Sequence, residues 1–180
     1  MNPEVAKAMA EFFAGMMENE SKTTAKVLAA VPDTGRDYRP DPKSRSAWEL
    51  ATHLAASEIW FLDGVLAGAF KYDPEAEKKT VGSFGTVQDV VTFYEREVPP
   101  RIQQVRGLSP EKLATAIDFF GAMQEPTVTY LGLANNHAIH HPSILRLEEL
   151  EPGASLLGSA RCAARRLDRA ESAAGNSRAA

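Results

Sequence analysis

Apolar residues in this chain recur three and four positions apart over long stretches, and nowhere do they alternate for long enough to build a sheet face. Val5, Met9, Phe12, Met16, Thr23, Val27 and Ala30 carry that spacing from Pro3 to Val31, which fits one long amphipathic helix. Pro3 suits the first turn, and Pro32, lacking an amide hydrogen, should end the helix. After a polar connection from Asp33 to Ser44, Ser44 or Ser46 can cap a second helix, with Glu49 placed three residues after Ser46 as in a capping box. Trp48, Ala51, Leu54, Ala55, Ile59, Phe61, Leu62 and Val65 make this second helix apolar over a wide arc, up to about Leu66, with Gly64 or Gly68 near its end. A helix so apolar belongs at the centre of a fold.

Lys71 to Gly85 is charged and contains glycine, and reads as a loop. Thr86 can cap a third helix through Val87, Val90, Val91 and Tyr94, with Ile102 and Val105 beyond Pro99-Pro100. Two adjacent prolines should kink or break it. Ser109-Pro110-Glu111 starts a short helix over Leu113 to Ile117, Asp118 to Gly121 reads as a loop, and a last helix is expected from Thr127 to about His141. The fold class predicted is all-α, a four-helix bundle with long connections. Domain 1–157 forms the bundle. The segment 158–180, rich in Ala, Arg and Ser with Leu167 its one large aliphatic residue, buries too little to offset ordering entropy, and is expected to be a disordered tail or to hold a weak helix around Ala160 to Ala174.

Charge and cysteine content narrow the function. The chain has 180 residues with 20 Lys+Arg against 24 Asp+Glu, a net charge of −4. Nucleic-acid binders draw their affinity from phosphate contacts and normally show a basic surplus, so no nucleic-acid partner is expected. The one cysteine, Cys162, can form neither an internal disulfide nor a thiolate metal site, which suits a reducing, cytoplasmic setting. Glu4, Lys7, Glu11 and Glu18 interrupt the N-terminal apolar residues and no other stretch is more continuously apolar, so neither a signal peptide nor a membrane span is expected.

Chemistry gathers at the histidines. Only four occur, and three lie within five residues. His137 and His141, four apart on a helix, share a face one turn from each other, the spacing of a chelating pair. The pair His137/His140 is the other arrangement the spacing allows, although His140 is turned about 60° from that stripe at 100° per residue. His53 sits in the middle of the apolar second helix. If that helix faces the last one, three imidazoles converge and leave coordination positions open for water or substrate. Imidazole ligands suit zinc, nickel, iron or copper alike. The same residues also fit a core histidine bonded to a carbonyl and a polar helix end. Asn135 and Asn136 could orient a ligand. A carboxylate-bridged di-metal site from Glu11, Glu18, Glu95 and Glu97 is excluded, because no Glu-x-x-His pair exists in the chain.

Two stretches carry a family likeness. In "VLAAVPDTGRDYRPDPKSRSAWELATHLAASEIWFLDGVLAG" a W-x-x-x-x-H-L pattern leads from Trp48 to His53, and "DFFGAMQEPTVTYLGLANNHAIHH" leads into the histidine pair. From about residue 5 to 141 the chain resembles the DinB-like family, also described as DinB/YfiT-like metalloenzymes. The resemblance implies a four-helix bundle, frequently homodimeric, with His53, His137 and His141 as ligands to a zinc or nickel ion. Some relatives are similar to transferases that use a low-molecular-weight thiol, and others to maleylpyruvate isomerases. The C-terminus is atypical: relatives continue after the third ligand with Arg-Gly-Gln-Leu, whereas His141 is followed by Pro142-Ser143-Ile144-Leu145. Pro142 should deprive the Ala138 carbonyl of its helical partner and disfavour helical geometry at His141.

The function expected is a divalent-metal-binding DinB-like protein, a metal-dependent transferase or hydrolase acting on a small-molecule substrate, with a low-molecular-weight thiol as a candidate cofactor. The alternative is a non-catalytic helical-bundle dimer or stress-associated binding protein with a weakened metal site. Phe12, Phe13, Trp60 and Phe61 are the candidate self-association surface.

Overall fold

The computed structural model of the chain describes residues 1–149, with side chains through His141. Helix α1 spans Pro3–Ala30, capped by the Asn2 side chain, which accepts from the Glu4 and Val5 amides at 2.9 and 3.3 Å. Its end at Val31, one residue before Pro32, is where proline requires it. Helix α2, Ala47–Ala67, starts at Ser46 rather than Ser44: the Glu49 amide donates to Ser46 Oγ and the Ser46 amide to Glu49 Oε2, a complete capping box. It closes on Gly68, whose φ of 74° is the left-handed conformation glycine adopts without strain.

The expected loop between 71 and 85 contains a helix, α3, Pro74–Gly82, begun by Asp73 accepting from the Glu75 and Ala76 amides. It buries no residue, so it leaves no apolar stripe in the sequence. Helix α4, Val87–Arg106, starts at the expected Thr86 and runs without interruption through Pro99-Pro100. Both prolines face solvent, where water can serve the Glu95 and Arg96 carbonyls that lose their helical partners, while Val98, Ile102 and Val105 hold the opposite face in the core. The short helix α5, Pro110–Ala114, is followed by a hairpin where helix and loop were expected: β1, Ala116–Phe119, pairs antiparallel with β2, Met123–Pro126. Four-residue, mostly exposed strands are too short for alternation to register. Helix α6, Thr129–Glu149, continues past Pro142. Packing of α6 on α1 and α2 outweighs the one hydrogen bond lost at Ala138.

Helices α1, α2, α4 and α6 form the bundle, α1 and α2 each packing between α4 and α6. The α2 and α4 helices run parallel, as the contacts Glu58–Tyr94 and Asp63–Arg101 show, and α3 lies in the crossover between them. The core is made by residues such as Met17, Leu28, Leu54, Leu62, Ile102 and Leu131. The four aromatics expected on one self-association surface are divided: Phe12 is 64 % exposed, whereas Phe61 is in the core at 7 % and Phe13 and Trp60 are half-buried. No described helix is long and apolar enough to cross a membrane. The expected boundary at 157/158 and the tail 158–180 lie outside the described residues.

Candidate metal centre

Two helices distant in sequence bring the three imidazoles together. His53 projects from the middle of α2, and His137 and His141 from successive turns of α6, which packs against it. One nitrogen from each of the three lies within 4.8 Å of the others. Ring centroids stand 5.5 Å apart for His53 and His137, 5.1 Å for His53 and His141, and 4.3 Å for the helical pair. The three rings meet edge to face rather than stacked, with interplanar angles of 65° to 87°. His140 is exposed, and no nitrogen of it joins the cluster. Pro142 thus leaves His141 within the helix and within the group.

Their electrostatics suit a cation. Burial pushes the imidazole pKa of His137 and of His141 down to about 4, assisted by the other imidazoles and by Arg45. His53 is lowered too, first by burial and then by Arg45. All three are therefore neutral near pH 7, the state in which imidazole binds a metal ion. The Nδ1 atoms of His137 and His141 are buried and make no hydrogen bond. A buried polar nitrogen without a partner costs free energy, and a bound ion, or groups ordered around it, would remove that deficit. The donor set fits a borderline divalent ion. Asn135 is buried with its side-chain oxygen unpaired, and Asn136 is exposed; neither side chain has a hydrogen bond to the imidazoles.

A cavity of about 690 Å³ opens beside the cluster, bordered by His53 and His137. Trp60 on α2, Phe93 on α4 and Phe120 at the hairpin tip give it aromatic walls, and Tyr72 and Glu77, from α3 and the segment before it, close another side. The Trp60 indole is fixed by donating to the Lys71 carbonyl at 2.6 Å. Of these, the α3 side and Phe93 escape the sequence reading, while Phe120, which its sequence context favours as a core plug over a binding platform, is 55 % exposed and lines the cavity. For α3, Asp73-Pro74-Glu75 was the available signal, since it repeats the cap-proline-acid order of Ser109-Pro110-Glu111.

Three of the four carboxylates considered for a di-metal site are engaged elsewhere, and the fourth, Glu95, is exposed. Glu11 and Glu18 pair with Arg106 at 2.7 and 2.8 Å, and Glu97 pairs with Arg101 at 2.6 Å. The histidine cluster is the one group of potential ligands among the described residues.

A sequence profile of the DinB superfamily matches residues 16–145. The fold is similar to that of a DinB-like protein from Bacillus subtilis, at 21 % identity, TM-score 0.62, covering 80 % of this chain and 93 % of the other. A DinB-like protein from Bacillus cereus gives 20 % identity and TM-score 0.62 over 76 % and 87 % of the two chains. A mycothiol-dependent maleylpyruvate isomerase gives 14 % identity and TM-score 0.59 over 76 % of this chain and 60 % of that one. At these identities the likeness is one of fold. No curated protein matches the sequence.

Proposed function

The chain belongs to the DinB superfamily, and on that premise we propose that it is a metal-dependent enzyme acting on a small molecule, as a thiol-dependent transferase or a hydrolase. The observation that carries this reading is the convergence of three neutral imidazoles, two with unpartnered buried nitrogens, at the edge of a cavity of about 690 Å³. His53, His137 and His141 hold the ion, which is zinc or nickel. A divalent cation so placed lowers the pKa of a water or thiol bound to it toward neutrality. The protein supplies the rest. Burial keeps the imidazoles unprotonated, the bundle fixes their separation, and the aromatic walls limit water around the reacting groups. A low-molecular-weight thiol as co-substrate is supported by the fold shared with an isomerase whose name makes it mycothiol-dependent. The enzyme works in the cytoplasm as a homodimer, a reading supported by Cys162 standing alone and by the exposed apolar residues Val5 and Phe12 on α1.

Elemental analysis of protein purified without a histidine tag tests the proposal. Near one zinc or nickel per chain is expected, and His53→Ala should lose it. Absence of metal after reconstitution would leave a non-catalytic helical bundle.

A further inference from the structure

Phe120 occupies a backbone position that does not suit it. At the tip of the β1–β2 hairpin, Phe120 and Gly121 both have positive φ, 55° and 73°, and the Ala122 amide donates to the Phe119 carbonyl across them at 3.0 Å. Hairpin turns with two positive-φ residues favour Asn-Gly, Asp-Gly or Gly-Gly, because a β-carbon is crowded in the left-handed region. A bulky aromatic there is an outlier. Nor does core burial account for it, since Phe120 remains 55 % exposed.

The ring instead lines the cavity. It lies nearly parallel to the Trp60 indole, 10° between planes and 6.2 Å between centroids. Trp60 is itself held by Lys71 and by contacts with Phe61 and Phe70, so the strained residue completes an aromatic wall on a rigid partner. Strained residues of this kind cluster at ligand-binding sites, where the surrounding structure holds them in place.

The charges along the same cavity are unequally satisfied. Each of its three carboxylates has a partner: Asp63 accepts from Arg101 at 2.7 Å, Asp73 caps α3, and Glu77 accepts from the Tyr72 hydroxyl at 2.7 Å. Its two cations, Arg45 and Lys71, form no ion pair or side-chain hydrogen bond among the described residues. Arg45 is close enough to the imidazoles to act on all three. Both cations are exposed to solvent and, unlike the carboxylates, available to an anion entering the cavity; a guanidinium pairs with a carboxylate through two parallel hydrogen bonds.

We propose that the cavity takes a small aromatic carboxylate, with Phe120 and Trp60 binding its ring and Arg45 binding its acidic group at the imidazole end. The assignment rests on the cavity being the chamber served by the proposed metal centre, and its test is independent of metal. The probes are 2-naphthoate, 2-naphthamide and 2-naphthylmethylammonium, titrated by calorimetry and tryptophan fluorescence into the full chain, once with EDTA and once loaded with zinc.

With EDTA present, naphthoate binds at least about tenfold more tightly than the amide, as expected of a charge-assisted hydrogen bond, and the ammonium binds most weakly. Arg45→Gln removes the preference for naphthoate over the amide. Phe120→Gly weakens both the acid and the amide by about tenfold, the order of a lost aromatic contact, while its melting temperature stays level or rises because the turn is relieved. Phe120→Asn, also suited to the turn, should do the same. The proposal is overturned by equal binding of acid and amide, by wild-type affinity in both Phe120 variants, or by no saturable binding up to millimolar probe. Binding seen only in the zinc-loaded protein also overturns it, since the metal rather than Arg45 would then hold the carboxylate. Loss of metal binding with naphthoate binding intact would remove the enzyme reading and leave the cavity assignment standing.

Discussion

Replacing Glu58 by glutamine should stabilise the protein at alkaline pH and leave it nearly unchanged in mild acid. The Glu58 carboxyl is 1 % exposed, between helices α2 and α4, and accepts a hydrogen bond from the Tyr94 hydroxyl at 2.6 Å. Burial pushes its pKa from 4.5 up to about 7, with the Tyr94 bond opposing the rise. Between pH 4.5 and about 7 the folded protein therefore keeps a proton that the unfolded chain releases, and stability falls as pH rises through that window. At about 1.4 kcal/mol per pH unit the whole gap is about 3 kcal/mol. From pH 5 to pH 8 the fall is between about 2 and 3 kcal/mol on the same scale. A glutamine amide oxygen can still accept from Tyr94 and does not titrate. The buried histidines titrate in the opposite sense, so the informative quantity is the difference between wild type and variant.

Urea unfolding at pH 5, 6.5 and 8 in EDTA measures it. The Glu58→Gln variant should lie within about 1 kcal/mol of wild type at pH 5 and be more stable by about 2 kcal/mol or more at pH 8, a melting-point gap of about 5 to 10 °C for a chain of this size. Stability profiles for the two proteins that stay parallel within about 0.5 kcal/mol across this range would refute the reasoning.

Other perturbations have equally definite outcomes. His137 and His141, held near 4 against an ordinary value of 6.5, favour the neutral form in the fold. The metal-free protein should therefore lose stability as pH falls from about 6.5 to about 4, and His137→Gln with His141→Gln should flatten that limb in thermal melts from pH 4 to 7. A β-carbon on Gly64 would overlap the Phe70 ring, so Gly64→Ala should destabilise by about 1 to 3 kcal/mol in chemical denaturation, and an unchanged midpoint would count against the packing described. Ser46→Ala removes the acceptor for the Glu49 amide and should reduce stability by about 0.5 to 2 kcal/mol. Zinc added at a hundredfold over its dissociation constant should stabilise wild type by about 2.7 kcal/mol and leave His53→Ala unmoved, as read by differential scanning fluorimetry.

The parts of the fold legible in the sequence were those whose signals are local. Apolar spacing over Pro3–Ala30 marks the helix but not its buried face, since Val5, Phe12, Met16 and Ala30 of the expected stripe are exposed and Ala6, Ala10, Ala14 and Met17 are buried instead. The caps at Ser46, Thr86 and Ser109, by contrast, each mark an element start found in the structure. Proline was over-read. At Pro99-Pro100 and at Pro142 the helix continues, because one or two missing bonds are a small term beside the packing of a bundle helix. Elements that bury little leave no periodic trace: α3 lies where a loop is expected, and the β hairpin where a helix end and a loop are expected. At the site, the grouping of His53, His137 and His141 followed from helix geometry and from the family likeness. The cavity did not, because Phe120, Arg45 and Tyr72 come from segments whose mutual placement only the tertiary fold decides.

Central to the account is an ion held by three imidazoles from α2 and α6. X-ray absorption spectroscopy on the zinc-loaded chain, with anomalous scattering to place the ion, tests it most directly. Three imidazole nitrogens at about 2.0 to 2.1 Å plus one exchangeable oxygen ligand is the expected first shell, with the anomalous peak among His53, His137 and His141 and absent from His53→Ala. A peak elsewhere on the molecule, a shell without imidazole scattering, or metal retained in full by the variant would contradict the assignment.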